Sequence, residues 1–265
     1  MLAGRDILLT EKRGHVYIMT INREERLNAI SLELWDRMAE EWERFNEDDD
    51  LWVAILTGKG DASFSSGDDL KEEMDRIEGD TYHDHEPYIG RRPHASVPSW
   101  KPTIAAVNGY AVAGGWQLAQ ECDVRIASEN ATFGIPEVRW NVPAYFGAAL
   151  EYQISMGVAC EMLMWGRLIS AQRAYEIGFV NKVVPQGKLM EECMEWAEYV
   201  CTLGQQSVRA HKELIYRGRD IPRSEIWPLG RDLFYFYPPK PGVVTDAAEG
   251  PKAFLEKRAP KFKDV

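Results

Sequence analysis

The 265-residue sequence is poor in cysteine: it has four, Cys122, Cys160, Cys193 and Cys201, and no two form a C-x-x-C pair. Their scatter suits reduced, packed thiols rather than a disulfide frame or a zinc site. Excess positive charge is also missing. The formal net charge is −11. Neutralising phosphates needs a basic surface, so no nucleic-acid groove is expected, nor docking on an anionic membrane. An anionic small ligand stays possible, because one helix N-terminus and a few Lys or Arg suffice for it. No apolar run is long enough to span a bilayer. The opening residues Met1 to Asp6 lack the apolar centre of a signal peptide. The expected location is the cytoplasm, where the sequon Asn130-Ala131-Thr132 carries no meaning.

Several catalytic signatures are absent too. No G-x-S-x-G elbow occurs. Gly58-Lys59-Gly60 lacks the glycine spacing and the Lys-Ser/Thr ending of a phosphate loop. His83, His85 and His94 fall in a Pro-, Gly- and charge-rich excursion over 76–98, which reads as a mobile segment and a candidate lid. Their spacing is not that of metal ligands, so no metal is expected. There are no repeats and no low-complexity linker.

Ordinary globular composition remains, with 45% hydrophobic and 28% charged residues. The length allows one large domain, or a domain with an appendage. Strand-like runs lie at 7–10 and 16–21, split by a hairpin turn at Lys12-Arg13-Gly14-His15. Ser31 opens a helix whose apolar residues Leu34, Trp35, Met38, Trp42 and Phe45 recur at helical spacing. A buried strand is expected at 52–57. Phe64 to Leu70 is small and polar, and feeds a helical Lys71-Glu72-Glu73-Met74.

The most informative stretch is Pro102 to Gln120. Thr103 to Val107 reads as a buried strand. Asn108-Gly109 is a turn. Ala113-Gly114-Gly115 then leads into a short helix from Trp116 to about Gln120. Bare backbone at a helix start exposes unpaired N–H groups in a favourable dipole, a geometry that holds a developing oxyanion. A glycine turn required only for close packing fits equally well. A strand is expected at 124–127. Helices are expected at 147–165, 170–177 with Ser170 as cap, 187–203 and 205–219. An aromatic, proline-broken tail and a final helix near 245–257 complete the chain.

Taken in order, the segments Asn22-Arg23-x3-Leu27-Asn28-Ala29, Phe64-Ser65-Ser66-Gly67-Asp68-Asp69-Leu70, Lys101-Pro102 through Gly115, Phe133-Gly134-Ile135-Pro136-Glu137, Gly166-Arg167-x-Ile169-Ser170-Ala171, Gly178 to Val184 and Phe254-Leu255-Glu256-Lys257-Arg258 resemble the crotonase, or enoyl-CoA hydratase/isomerase, superfamily. The resemblance implies an α/β fold, a crotonase-like spiral of β-β-α units with a helical C-terminal trimerisation region. Residues 1–190 would be the spiral core with the CoA and oxyanion site. Residues 191–265 would form the helical part for oligomerisation and active-site closure. Homotrimers or hexamers are implied. So is an acyl-CoA substrate, with coenzyme A as part of the thioester and no permanently bound cofactor.

Carried over by motif position, the backbone N–H groups of Asp68 and Gly114 are the oxyanion donors. Losing one such donor costs ~3 kcal/mol of transition-state stabilisation. An Asp at position 68 departs from the small or apolar residue of most relatives, and its carboxylate must point away from the oxyanion. Arg26, Leu27, Ser66 and Leu70 map to the CoA contacts. Lys257 maps to a tail lysine that meets the phosphates, with a neighbouring subunit as an alternative setting. Arg26 and Lys257 equally suit plain surface charges.

Hydratases of this superfamily carry two glutamates. Here the first position is Gln117 and the second is Glu137. Gln exchanges no proton, so Glu137 stands as sole acid/base and Gln117 as an orienter of water. Trp116, Trp140, Tyr145 and Phe146 either shape a flat acyl pocket or fill the core, and Tyr145 is a candidate second proton donor. The run Glu137 to Pro143 is similar to hydroxycinnamoyl-CoA hydratase-lyases but lacks their tyrosine after the first oxyanion loop. The tail from Ile221 to Lys261 is similar to carnitinyl-CoA dehydratases. The favoured reaction is hydration or dehydration of an enoyl-CoA through an enolate. Double-bond isomerisation, hydrolysis or C–C cleavage, and a catalytically silent CoA-binding subunit are the alternatives.

Overall fold

The computed structural model describes residues 6–79, 99–236 and 246–263. The candidate lid and its histidines lie almost wholly outside them. Two sheets carry the site. The larger has six strands in the order β1-β2-β3-β5-β7-β10: Leu8–Arg13, Val16–Ile21, Val53–Gly58, Thr103–Val107, Val124–Ser128 and Lys182–Val184. Only the β1–β2 hairpin is antiparallel; every later pairing is parallel. Parallel strands need crossovers and buried faces, and these strands are near-continuous apolar runs. In β3 the alternation sends Val53 and Ile55 to one face and Ala54 and Leu56 to the other.

One face meets helix α1, Leu32–Glu47, through Leu34, Trp35, Met38, Trp42 and Phe45. Ser31 caps this helix by accepting a hydrogen bond from the Leu34 N–H at 3.2 Å. Each of these large apolar side chains contributes about 1.5–3 kcal/mol by burial. The opposite face meets helix Leu189–Cys201 through Leu189, Cys193 and Ala197. That helix is therefore part of the core. Beyond it the described chain is helical, at Gln205–Arg219, Arg223–Phe236 and Asp246–Leu255.

The second sheet holds β4 (Ser63–Ser65), β6 (Tyr110–Val112), β8 (Thr132–Gly134) and β9 (Leu168–Ser170), in that order. The β4–β6 and β6–β8 pairs are parallel, while β9 is antiparallel to β8. The sequence reading places no strand at the first three. These strands are too short to show a period, and Ser63 and Ser65 look polar although both are buried. Ser63 Oγ donates to the Leu27 carbonyl at 2.8 Å, and Ser65 Oγ accepts from the Gly67 N–H at 3.2 Å.

Three helical expectations differ in detail. The helix after Ala113 starts at Gly114, not Trp116. The expected helix over 147–165 is two elements, a 3-10 segment Tyr145–Tyr152 and helix Met156–Trp165, parted near Ser155. A helix not expected from the sequence, Arg223–Phe236, holds Pro228 in its interior and takes in the start of the aromatic tail, whose prolines lie outside the described residues. Among the described residues no helix is long and apolar enough to cross a membrane.

Candidate active site

Three neighbouring parallel strands end on the same side, and each releases a loop there. β4 leads through Ser66-Gly67-Asp68-Asp69 into helix α2, Leu70–Glu78. β6 leads through Ala113 into helix α3, Gly114–Glu121. β8 leads through Ile135-Pro136 into the 3-10 turn Glu137–Trp140. The order β4-β6-β8 thus sets Asp68, Gly114 and Glu137 side by side although 69 positions separate the first from the last.

The Gly67–Gly114 approach is close enough to dictate residue type. Gly67 has φ +90°, and a Cβ there would stand 2.7 Å from the Ala113 Cβ and 3.0 Å from the Gly114 nitrogen. Ala113 itself has φ +54° and ψ −125°, a strained conformation for a residue with a side chain. It is held by a hydrogen bond from its N–H to the Gly134 carbonyl at 3.0 Å. That strain turns the chain so that Gly114 opens α3 with a backbone N–H that has no acceptor within the helix.

At the other expected donor position, Asp68 forms a parallel bridge with Ile30. The bridge uses the Ile30 N–H on the Gly67 carbonyl and the Asp69 N–H on the Ile30 carbonyl. In that pattern the N–H of Asp68 points away from Ile30. The two donor positions expected from the motifs are therefore adjacent, both with N–H groups that the local ladder does not consume.

The Asp68 carboxyl is turned toward α1. Its Oδ1 accepts from Trp35 Nε1 at 3.3 Å and lies 3.5 Å from where a Cβ on Gly114 would stand. Burial pushes its pKa up to about 6; Glu73 and Glu72 add to the rise, and the Trp35 hydrogen bond opposes it. Asp69 instead pairs with Arg23, Oδ2 to Nη2 at 2.8 Å.

Burial raises Glu137 further, to about 7, with a smaller contribution from the charge of Asp68. The Glu137 Oε2 atom is buried with no hydrogen-bond partner among the described residues. A carboxyl in that state takes up and releases a proton near neutral pH.

Gln117 is 1% exposed, so its amide depends on protein partners. Nε2 donates to Glu121 Oε1 at 2.8 Å, and Oε1 accepts from the Tyr145 hydroxyl at 3.1 Å. An ionised Glu121 can only accept, which suits the amide nitrogen on its side. The Glu121 half of this clamp is legible as an i,i+4 pair on one helix. Trp35, by contrast, reads from its spacing as one more core residue of α1, and nothing there marks a partner for Asp68.

The aromatic candidates divide. Trp116 is fully buried, stacked on Phe179 at 4.0 Å and edge-on to Phe133, with Nε1 donating to Gln120 Oε1. It fills the core. Phe146 is also buried, edge-on to Tyr145 at 5.7 Å. Tyr145 reaches Gln117, while Trp140 is 64% exposed.

Of the residues mapped to CoA, Leu27 and Ser66 are joined by a hydrogen bond from the Ser66 N–H to the Leu27 carbonyl at 3.1 Å. Arg26 is exposed next to them, and Leu70, at the start of α2, is 61% exposed. Lys257 lies past the last helix, exposed, in a left-handed conformation with φ +52°. No described contact joins it to Arg26.

Known proteins of this architecture agree over nearly the whole chain. Residues 11–265 match the family described as enoyl-CoA hydratase/isomerase. Enoyl-CoA hydratase EchA19 of Mycobacterium tuberculosis is 37% identical over 99% of this chain and 98% of its own. The (E)-benzylidenesuccinyl-CoA hydratase of Thauera aromatica is 37% identical over 96% and 97%. A carnitinyl-CoA dehydratase of Salmonella typhi is 34% identical over 95% and 96%. The crystal structure of enoyl-CoA hydratase EchA1 from Mycobacterium marinum superposes with a TM-score of 0.86 at 32% identity, covering 98% of this chain and 99% of the other. With its two sheets, adjacent loops and matching length, the chain belongs to the enoyl-CoA hydratase/isomerase family, within the crotonase superfamily.

Proposed function

We propose that this protein hydrates an enoyl-CoA thioester, or dehydrates the corresponding hydroxyacyl-CoA, through an enolate held by the N–H groups of Asp68 and Gly114. The observation that carries the reading is the Glu137 carboxyl: half-buried, with Oε2 unpartnered among the described residues, on the loop beside the two donors. In hydration, the Glu137 carboxylate takes a proton from water as the oxygen bonds to Cβ. The C=C electrons move toward the thioester, and its carbonyl oxygen gains the charge that the two N–H groups stabilise. The enolate collapses as Glu137 returns that proton to Cα. Gln117 Oε1, fixed by Glu121 and Tyr145, accepts the other hydrogen of the water. The names of relatives acting on benzylidenesuccinyl-CoA and carnitinyl-CoA support the reaction class and no single acyl group.

In the same reading Arg26, Leu27, Ser66 and Leu70 border the nucleotide end of CoA. Lys257 meets its phosphates from a neighbouring copy in a trimer or hexamer. The exposed Trp227, Phe254 and Leu255 on the helices beyond residue 190 favour that region as the oligomer contact. The second reading, double-bond isomerisation, draws support from Gln117, since a proton shuttle between two carbons needs only one carboxyl.

A panel of acyl-CoAs incubated in D2O and in 18O-water, with products read by mass, tests this. Uptake of 18O with CoA retained supports hydration. Deuterium uptake without 18O shifts the assignment to isomerisation. Release of free CoA with an acid, or no turnover despite CoA binding, overturns both.

A further inference from the structure

One side chain at the site has no part in this mechanism, that of Asp68. It does not lie in open solvent. It is held between α1, the Ile30 bridge and the Gly114 turn, with Oδ1 on Trp35 Nε1 at 3.3 Å and 3.5 Å from the Cβ position of Gly114. The charged groups around it are acidic: Glu73 and Glu72 act on it from α2, and its own charge acts on Glu137 of the third loop. The basic residue that reaches its loop, Arg23, is engaged with Asp69. A negative charge here would stand beside the spot where the enolate oxygen must form.

We propose that Asp68 is the charge gate of the oxyanion site: as the neutral acid it admits the enolate, and as the anion it repels it. This rests on the enolate reading above. The gate follows from Coulomb repulsion in a partly dry site, where one unit of charge a few ångströms from the oxyanion lowers the rate by about 10- to 100-fold. Burial sets the threshold and Trp35 lowers it, because an indole N–H bonds more strongly to the carboxylate than to the neutral acid. Asp68 acts by its charge and so is a positioning residue for the electrostatics of the site.

Asp68→Asn tests this, because the amide oxygen keeps the Trp35 hydrogen bond and the volume is unchanged. In the wild type, a fall set by ionisation of Asp68 near 6 should oppose the gain in kcat/KM that ionisation of Glu137 brings near 7. Asp68→Asn should retain alkaline activity, so that the variant-to-wild-type ratio grows about 10-fold or more between pH 5.5 and 8.5. Trp35→Phe, which removes a bond favouring the anion, should move the fall to higher pH. A variant profile parallel to the wild type at every pH overturns the gate. Carboxyl 13C NMR, comparing the wild type with Asp68→Asn, reads the same group without turnover. A signal titrating near 6 that disappears in the variant supports the gate, and one titrating near 4 overturns it. If no enoyl-CoA turns over at all, the enolate reading fails first, and the titration still decides the state of Asp68.

Discussion

The Tyr145 hydroxyl donates to Gln117 Oε1 at 3.1 Å, and Glu121, one helical turn after Gln117, takes its Nε2 hydrogen at 2.8 Å. An amide has two faces of opposite hydrogen-bond character, and these partners choose between them. Glu121→Leu removes the choice while keeping an apolar filler in α3. The expected outcome is a loss in kcat of about 10-fold with little change in KM, since a loosely held water costs orientation and not substrate binding. Steady-state kinetics on any turned-over enoyl-CoA checks it, and an unchanged kcat removes Glu121 from the clamp.

Glu137→Gln should lower kcat/KM at least ~100-fold while leaving CoA affinity intact, because it removes the only proton carrier that the mechanism uses. In Asp68→Asn, where no charge at position 68 opposes it, the rate should follow ionisation of a group near 7. Burial raises this carboxyl, so the free carboxylate gains population as pH rises through 7, and water activation strengthens over that interval. A Glu137→Gln variant of full activity would falsify the assignment.

The backbone prediction concerns Gly67. At φ +90°, with a would-be Cβ 2.7 Å from the Ala113 Cβ and 3.0 Å from the Gly114 nitrogen, Gly67→Ala must push the second donor out of place. Activity should drop by about 100-fold or more, as when one oxyanion donor is lost. Thermal stability should fall by about 1–3 kcal/mol from the forced φ. Gly157→Ala is a control: that glycine has open space around its Cβ position and no positive φ, and the change should leave activity as it is. If both variants behave alike, the proximity of Gly67 to Gly114 has no bearing on catalysis.

How far the sequence reveals this site depends on element length and on which partner lies nearby in the chain. Six residues of β3 make a readable apolar run, sixteen of α1 carry a readable period, and Ser31 announces its own cap. Three residues of β4, β6 or β8 carry none, so the second sheet stays hidden even though it sets the three loops side by side. Motif position points to Asp68, Gly114 and Glu137 because the residues that bound those loops are glycines and prolines with few substitutes. Trp116 is ambiguous beside the same glycines. Only packing on Phe133 and Phe179, 17 and 63 positions onward, decides that it is core. The link from Trp35 to Asp68 spans 33 positions and joins a core-patterned helix to a loop, and no local rule connects them.

Gln117 invites the reverse experiment, Gln117→Glu, which restores the two-glutamate pattern of the family's hydratases. The amide nitrogen it replaces stands 2.8 Å from Glu121 Oε1. Two carboxylates at that distance cannot both ionise in a buried site, so they must share a proton. Sharing raises the folded-state pKa of the pair above the unfolded value of about 4.3 for Glu. The folded state then binds the extra proton, so the stability from the shared proton is present at low pH and lost as pH rises. The variant should unfold at nearly the wild-type temperature at pH 4.5 and at a clearly lower one at pH 8. About 1.4 kcal/mol is lost for each pH unit by which the folded pair titrates above the unfolded chain. Thermal melts at the two pH values measure this directly, and an equal deficit at both would rule out a shared proton. Adding Glu121→Gln restores one donor to the pair. The double variant should recover alkaline stability and, with a free carboxylate at position 117, gain hydration activity over Gln117→Glu alone. On this account Gln117 is the residue that lets Glu121 accept as a carboxylate beneath the site, and a second catalytic glutamate is compatible with this helix only when position 121 is neutral.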